Sequence, residues 1–238
     1  MTTLRHLAAA LALAAALGTA PAAAATILKL ATMAPDGSIW MQALADAKAE
    51  IETATAGAVK VKIYPGGIMG SEQDVLFKIK TGQLHGGGFL GYGIGVVCPG
   101  VGALMFPMVF RNYDEVDRTL EKIRPFLDER TRAAGFETLG WTEVGFSYAY
   151  SVKPITSLET LRATKVWGLD SPMLMELFAA AGIASIPVDV TDVLTALQTG
   201  LLETVFGPPT AAIAVQWHTK IRHYNALRLT YAIGGVFL

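Results

Sequence analysis

Residues 192–209, DVLTALQTGLLETVFGPP, indicate the fold because a related stretch occurs earlier, at residues 74–91, as DVLFKIKTGQLHGGGFLG. At a constant offset of 118 residues, the two copies share Asp, Val, Leu, Thr, Gly and Leu. In each copy apolar residues at helical spacing follow the acidic residue, and Gly82 or Gly200 ends the helix with a left-handed residue. An apolar strand follows in both copies. Two such units predict two similar α/β domains with a ligand bound between them.

The composition is that of a folded protein with no marked charge. The 238-residue chain is 52% hydrophobic and 16% charged, with a formal net charge of −1. This balance fits one large or two small domains and gives no electrostatic reason to expect nucleic acid as a partner. Cys98 is the only cysteine, so no intramolecular disulfide can form. The four histidines are not spaced as metal ligands are, so we expect no metal site and no cofactor. They are His6, His85, His218 and His223.

The N-terminal residues 1–25 have the pattern of an export signal. Arg5 precedes an Ala/Leu run over residues 7–17, and Pro21 is followed by four alanines that offer Ala-x-Ala cleavage. The mature chain is therefore expected to begin near Ala25 or Thr26 and to be periplasmic. The alternative is an uncleaved anchor helix, which Pro21 and the alanine-rich tail disfavour.

The first half of the chain alternates strands with helices. Residues 26–32 predict a strand, Ser38 is expected to cap the first helix, and residues 59–63 alternate as a second strand does. The first repeated helix follows, with Ser71 as its candidate cap and Thr191 as the equivalent in the second copy. This βαβαβ order predicts a parallel sheet with crossover helices.

A glycine-rich stretch at residues 86–110 has no charged residue, which on length alone would suggest a membrane span. Its eight glycines and two prolines predict instead a buried strand followed by close-packed turns. The stretch also contains a Gly-x-Gly-x-x-Gly pattern at residues 86–91. A dinucleotide site would need a helix after the last glycine and an acid about 20 residues on. Glycines and Pro99 follow the last glycine instead, and Arg111 stands where the acid would be needed. Nucleotide binding is therefore not expected.

The second half predicts a long helix and then a second α/β series. Asn112 is expected to cap a charged helix that Pro125 bends or splits and Gly135 ends. Strands are predicted at residues 136–141 and 146–151, the latter carrying the chain into its second half. A second βαβαβ series and a final apolar strand, LTYAIGGVFL, complete the chain.

Taken together in their order and spacing, six motifs resemble those of one family. They are KLATMAPDGSIW, YPGGIMGSEQDV, IKTGQLHGGG, FPMVFRNYDEVD, KPITSLETLRATKVW and DVLTALQTGLLETV. From about residue 27 to its end, the chain resembles the extracytoplasmic solute-binding subunits of tripartite ATP-independent periplasmic (TRAP) transporters, the DctP-like family.

The resemblance implies an α/β periplasmic binding protein of two lobes, each a mainly parallel sheet flanked by helices, with a ligand cleft between them. The expected lobes are residues 26–145 and residues 146–238, the second ending in a returning hinge strand. The implied ligand is small and commonly an organic acid, and the implied partners are the membrane subunits of a TRAP transporter. Members also have further helices after the point where this chain stops, so the chain is expected to be partial.

Two departures from the family pattern concern the ligand. Trp167 stands where the family usually has an arginine that binds a substrate carboxylate through two hydrogen bonds. Phe206 and Gly207 stand where many members have a polar pair. Carboxylate recognition would then come from backbone amides, Lys165, Arg111 or a bound cation.

The candidate ligand contacts lie on loops at the C-terminal ends of strands, where open parallel sheets bind ligands. They are Trp40, Gly67, Tyr92, Phe146, Tyr148, Trp167, Asp170, Phe206 and Gly207. The alternative for Trp167 is a core aromatic residue. Asp170 and Glu203 are candidate cation ligands, although a lone carboxylate is more often solvated or capping.

Two other function classes compete with solute uptake. A periplasmic enzyme would need a nucleophile and a base, but the chain has no Gly-x-Ser-x-Gly motif, and Cys98 lies in an uncharged stretch. A ligand-sensing module for a signalling partner would use the same cleft, and the sequence does not separate it from uptake.

Overall fold

The computed structural model describes residues 25–168 and 172–238. Residues 1–24 of the predicted export signal and the candidate contact Asp170 therefore lie outside the described residues. The strands within these ranges are β1 Thr26–Thr32, β2 Val59–Tyr64, β3 Gly86–Phe89, β4 Thr138–Ser151, β5 Val166–Gly168, β6 Ser185–Pro187, β7 Thr204–Gly207 and β8 His223–Phe237. The α-helices are α1 Ile39–Ala54, α2 Glu72–Lys80, α3 Tyr92–Val97, α4 Tyr113–Ala133, α5 Leu158–Arg162, α6 Pro172–Ala180, α7 Val193–Thr199 and α8 Pro209–Ala214, and 3-10 helices span Val101–Met105 and Trp217–Thr219.

The described strands form a single sheet in the order β2-β1-β3-β8-β4-β7-β5-β6. Strands β1, β2 and β3 are mutually parallel, as are β5, β6 and β7. Both predicted parallel units are therefore confirmed. Strands β4 and β8 lie between them and pair antiparallel with each other and with their outer neighbours.

Each half of the sheet has its own hydrophobic core, which defines two lobes. The first core contains Val75, Phe89 and Phe237, and the second contains Val193 and Val205. Strands β4 and β8 run through both lobes and connect them. The expected lobe boundary after residue 145 falls within β4, so this strand contributes to both lobes.

Strand β4 corrects one expectation, because the two predicted strands at 136–141 and 146–151 are one strand of 14 residues. Its pairing with β8 shifts register near Gly140 and Gly145. Gly145 has a φ of +112°, which accommodates an irregularity inside the strand where the sequence suggested a break.

The repeated helix–glycine–strand unit is confirmed in both lobes, as α2 with β3 and as α7 with β7. Gly82 and Gly200 both have a φ of +71°. Ser71 caps α2 through a capping box with Asp74. Thr191 is not the equivalent cap, because α7 has Asp192 at its N-cap, in a helical conformation and without a side-chain capping bond.

The glycine-rich stretch forms the predicted buried strand, β3, but the expectation that turns follow it is wrong. Helix α3 and the 3-10 helix Val101–Met105 follow instead. Glycine is required in β3 because the strand lies tightly between β1 and β8, and a Cβ at Gly86 would lie 2.1 Å from the Phe237 carbonyl oxygen. Among the described residues, no helix is both long and apolar enough to cross a membrane.

We expect Gly86→Ala to lower the free energy of unfolding by about 1–3 kcal/mol, because the added methyl group forces β3 away from β8. Gly95→Ala is the matched control, since nothing lies within 4 Å of a Cβ built at this exposed helical glycine. It should be neutral or stabilising by up to about 1 kcal/mol. Urea denaturation followed by circular dichroism measures both, and equal midpoints would contradict the close packing of β3.

Candidate functional site

The polarity of the strands directs the C-terminal ends of both parallel sets toward one cleft. Strand β4 runs from the first lobe to the second, and β8 returns. Because β3 is antiparallel to β8, the C-terminal ends of β1, β2 and β3 point toward the second lobe. Because β7 is antiparallel to β4, the C-terminal ends of β5, β6 and β7 point toward the first lobe. Open α/β sheets bind ligands at such ends.

The register gives the width of this cleft. Phe89 at the end of β3 is level with Trp141 of β4, because both pair with Gly235. Gly207 at the end of β7 pairs with Tyr148. Residues 142–147 of β4 lie between these levels and pair with β8, so about 20 Å of strand separates the end of β3 from the end of β7, and the loops that follow the strands extend into this space.

The loops of the two lobes touch at Gly67, one of the predicted site residues. Gly67 follows β2, has a φ of +72° and donates its N–H to the Thr32 carbonyl at 3.1 Å. A Cβ at this position would lie 3.0 Å from Cγ2 of Thr191, in the second lobe, and 3.1 Å from Cε of Met33. The absence of a side chain at Gly67 therefore allows the two lobes to approach each other here.

The wall of the cleft that follows β3 is built around the Glu72 carboxylate. This carboxylate accepts backbone hydrogen bonds from Leu90 at 2.7 Å, Gly91 at 3.3 Å and Gly93 at 2.7 Å. Burial raises the pKa of Glu72, while these three hydrogen bonds act to lower it. Tyr92, a predicted contact, is the first residue of α3, between Gly91 and Gly93, and is 37% exposed.

The same carboxylate occupies the backbone amides at the end of the Gly-x-Gly-x-x-Gly pattern. A helix does begin after Gly91, at Tyr92, so the expectation of glycines and turns there is wrong. The amides that a dinucleotide phosphate would need already donate to Glu72. Together with Arg111 in place of the acid, this argues against nucleotide binding at this loop.

The opposite wall carries Gly207, at the end of β7. A Cβ there would lie 3.3 Å from the Trp217 ring, so a larger residue would press on the second core. The preceding Phe206 is half-buried, and its ring centroid lies 5.6 Å from that of Phe178. Pro208 then leads into α8.

Two predicted contacts lie in the cores and not on the cleft. Trp167 is 3% exposed, donates its indole N–H to the Val188 carbonyl at 2.8 Å and packs edge-on against Trp217. Strand β5 is an inner strand, so its side chains are covered by the second lobe. Phe146 is 1% exposed and packs against Tyr113 and other rings of the first core. The structure thus corrects the expectation that these two rings face a ligand.

Two charged candidates lie at the N-terminal ends of strands, on the side away from the cleft. Lys165, just before β5, donates its ammonium group to the Gly200 carbonyl at 2.7 Å. Glu203, just before β7, pairs with Lys153 at 2.6 Å, which holds the pKa of Glu203 below its usual value.

Within residues 25–168 and 172–238, no group of three His, Cys, Asp or Glu side chains is placed to hold a metal ion. Trp40 lies half-buried in the first turn of α1, beyond the end of β1.

A concavity of about 920 Å³ lies against β4 and β8, and we call it the arginine cavity. Its lining residues are Met108, Phe110, Arg111, Tyr148, Tyr150, Pro209, Tyr224, Ala226, Leu227 and Arg228. Tyr148 and Arg111 were singled out from the sequence. Arg228 was missed, although its guanidinium lies 5.2 Å from the Phe146 ring centroid and donates to the Arg111 carbonyl. Neither guanidinium takes part in the ion pairs formed among the described residues.

Comparison with known proteins agrees with this architecture. The family model for bacterial extracellular solute-binding protein family 7, DctP, matches residues 30–226. The protein YiiZ of Salmonella typhimurium is 27% identical over 216 residues, which cover 90% of this chain and 65% of YiiZ. The sialic acid-binding periplasmic protein SiaP of Vibrio cholerae is 25% identical over 183 residues, which cover 76% of this chain and 57% of SiaP.

The fold is also that of a solved structure. A TRAP periplasmic solute-binding protein from Xanthobacter autotrophicus Py2, with bound β-D-galacturonate, superimposes with a TM-score of 0.82 at 20% identity, over 88% of this chain and 71% of that one. The chain spans less than two thirds of the length of YiiZ and SiaP. With a family model that matches most of the chain, the protein belongs to bacterial extracellular solute-binding protein family 7, the DctP family.

Proposed function

We propose that the protein is a periplasmic solute-binding subunit that captures a small organic acid in the cleft between its lobes and delivers it to the membrane subunits of a TRAP transporter. The observation that carries the proposal is the convergence of the C-terminal strand ends of both lobes on one cleft. Family membership supports the same function. No observation favours the sensing or the enzymatic alternative.

The chemistry of the cleft favours an anionic ligand. Helices α1 and α6 follow the C-terminal ends of β1 and β5, so their N-termini lie on the cleft side of the lobes. Neither has an acidic residue in its first turn, and the N-terminus of a helix favours negative charge. SiaP is named for binding sialic acid, and the Xanthobacter protein holds galacturonate. We therefore propose a hydroxylated sugar acid as the ligand of this chain.

We expect the chain to bind at least one of D-galacturonate, D-glucuronate and N-acetylneuraminate, and not D-galactose, which differs from galacturonate in lacking the carboxylate. At a ligand concentration one hundred times Kd, binding should stabilise the folded protein by about 2.7 kcal/mol. Isothermal titration calorimetry and thermal melting measure these effects. Binding of D-galactose with the affinity of galacturonate, or no response to any of the acids, would contradict the proposed ligand class.

The cleft and the arginine cavity can be distinguished by substitution. We expect Gly67→Leu to weaken acid binding at least tenfold, about 1.4 kcal/mol, because the side chain meets Thr191 when the lobes approach. Gly66→Leu is the matched control, since Gly66 also has a positive φ, of +63°, but nothing lies within 4 Å of its Cβ. Arg228→Ala should change the affinity less than threefold. A large loss in Arg228→Ala with none in Gly67→Leu would move the ligand to the arginine cavity.

A further inference from the structure

One half-buried carboxylate organises the loop between β3 and α3. Glu72 is the first residue of α2, and its three hydrogen-bond donors lie 18 to 21 residues further along the chain. One carboxylate oxygen accepts from Leu90 and Gly91, and the other accepts from Gly93. Glu72 takes no part in the ion pairs among the described residues. The amides are therefore its principal electrostatic partners in the structure.

The second copy of the repeated unit lacks both the carboxylate acceptor and two of its backbone donors. At the offset of 118 residues, Val190 corresponds to Glu72, and Pro208 and Pro209 correspond to Leu90 and Gly91. Proline carries no N–H, so the second copy has neither the acceptor nor these two donors. The helix–glycine–strand unit of the second lobe therefore folds without these hydrogen bonds, which belong to the first lobe alone among the two copies.

The loop that Glu72 holds forms part of the cleft wall. It follows the C-terminal end of β3, and its donors lie on both sides of Tyr92 in the sequence. The loop is also tightly packed, since a Cβ at Gly93 would lie 2.3 Å from the Phe89 ring. Charge-assisted hydrogen bonds to backbone amides are among the stronger contacts that can fix such a loop.

We propose that Glu72 is a positioning residue for ligand binding: its carboxylate holds the Leu90–Gly93 wall of the cleft in the conformation that accepts the ligand. Glu72 acts through the loop and does not need to touch the ligand. The proposal rests on the proposed function for the location of the ligand. The exchange rates of the loop amides can be measured without any ligand.

Glu72→Gln tests the proposal against a matched control. The amide replaces one acceptor oxygen by an NH2 group, which would face a backbone donor, so at least one of the three hydrogen bonds is lost. Asp74→Asn removes the same charge from the same helix terminus, but Asp74 bonds to Ser71 and not to the loop. Effects of net charge or of the helix dipole should therefore appear in both variants, and effects on the loop only in Glu72→Gln.

Hydrogen–deuterium exchange of the ligand-free full chain reports on the loop directly. We expect the amides of residues 90–97 to exchange at least tenfold faster in Glu72→Gln than in wild type, with β8 and the second lobe unchanged. Asp74→Asn should exchange as wild type does. Unchanged exchange of the loop in a folded Glu72→Gln protein would overturn the proposal.

Calorimetry with D-galacturonate then tests the link to binding. Affinity should fall at least tenfold in Glu72→Gln and less than threefold in Asp74→Asn. A loosened loop with unchanged affinity would overturn the positioning role. If wild type does not bind D-galacturonate, the titration uses D-glucuronate or N-acetylneuraminate, whichever it binds. If it binds none of the three acids, the proposed ligand class fails, while the exchange experiment still decides whether Glu72 holds the loop. If Glu72→Gln does not fold, Glu72→Asp replaces it, because Asp keeps the negative charge on a side chain one methylene shorter. Its loop amides should exchange faster than those of wild type but slower than expected for Glu72→Gln. Exchange at the wild-type rate would overturn the proposal.

Discussion

The antiparallel pairing of β4 with β8 is the interaction on which the rest of the structure depends. It runs from Thr138 opposite Phe237 in the first lobe to Ser151 opposite His223 in the second. Strand β3 joins one end of this ribbon through β8, and β7 joins the other end through β4. Because the ribbon is antiparallel and each lobe attaches to a different strand of it, the two parallel sets of strands face each other. The cleft follows from this polarity before any side chain is considered.

Hydrogen-bonded polar groups fix the ribbon within each lobe. In the first lobe the Tyr231 hydroxyl donates to the Glu143 carboxylate at 2.7 Å, and burial together with this carboxylate raises the pKa of Tyr231. In the second lobe the buried Thr204 hydroxyl donates to the Ser151 hydroxyl at 2.9 Å, and Thr164 lies 2.8 Å away on the other side. Buried hydroxyls left without partners would destabilise the fold, so these contacts favour one register of β4 against its neighbours.

The two lobes use the same helix–glycine–strand unit but build different walls from it. In the first lobe a carboxylate gathers backbone amides around the loop after β3. In the second lobe Pro208 and Pro209 restrict the chain after β7, and the aromatic pair Trp167 and Trp217 fills the core behind it. A ligand in the cleft would therefore meet one wall shaped by hydrogen bonds and one shaped by proline geometry and packing.

The sequence by itself determined the elements whose signals are local. The caps Ser38, Ser71 and Asn112 and the glycines that end both repeated helices are set by contacts within a few residues, and the structure confirms them. Only the tertiary structure decided that β4 is one strand, that Trp167 lies in the core and that Arg228 lies beside Arg111. Each of these depends on pairing between residues far apart in the chain, which periodicity does not report. Gly67 and Tyr92 could be placed after strand ends because strand ends can be predicted from sequence. The hydrogen bonds of Glu72 could not, because its three donors lie 18 to 21 residues away and reach it only through the packing of β3.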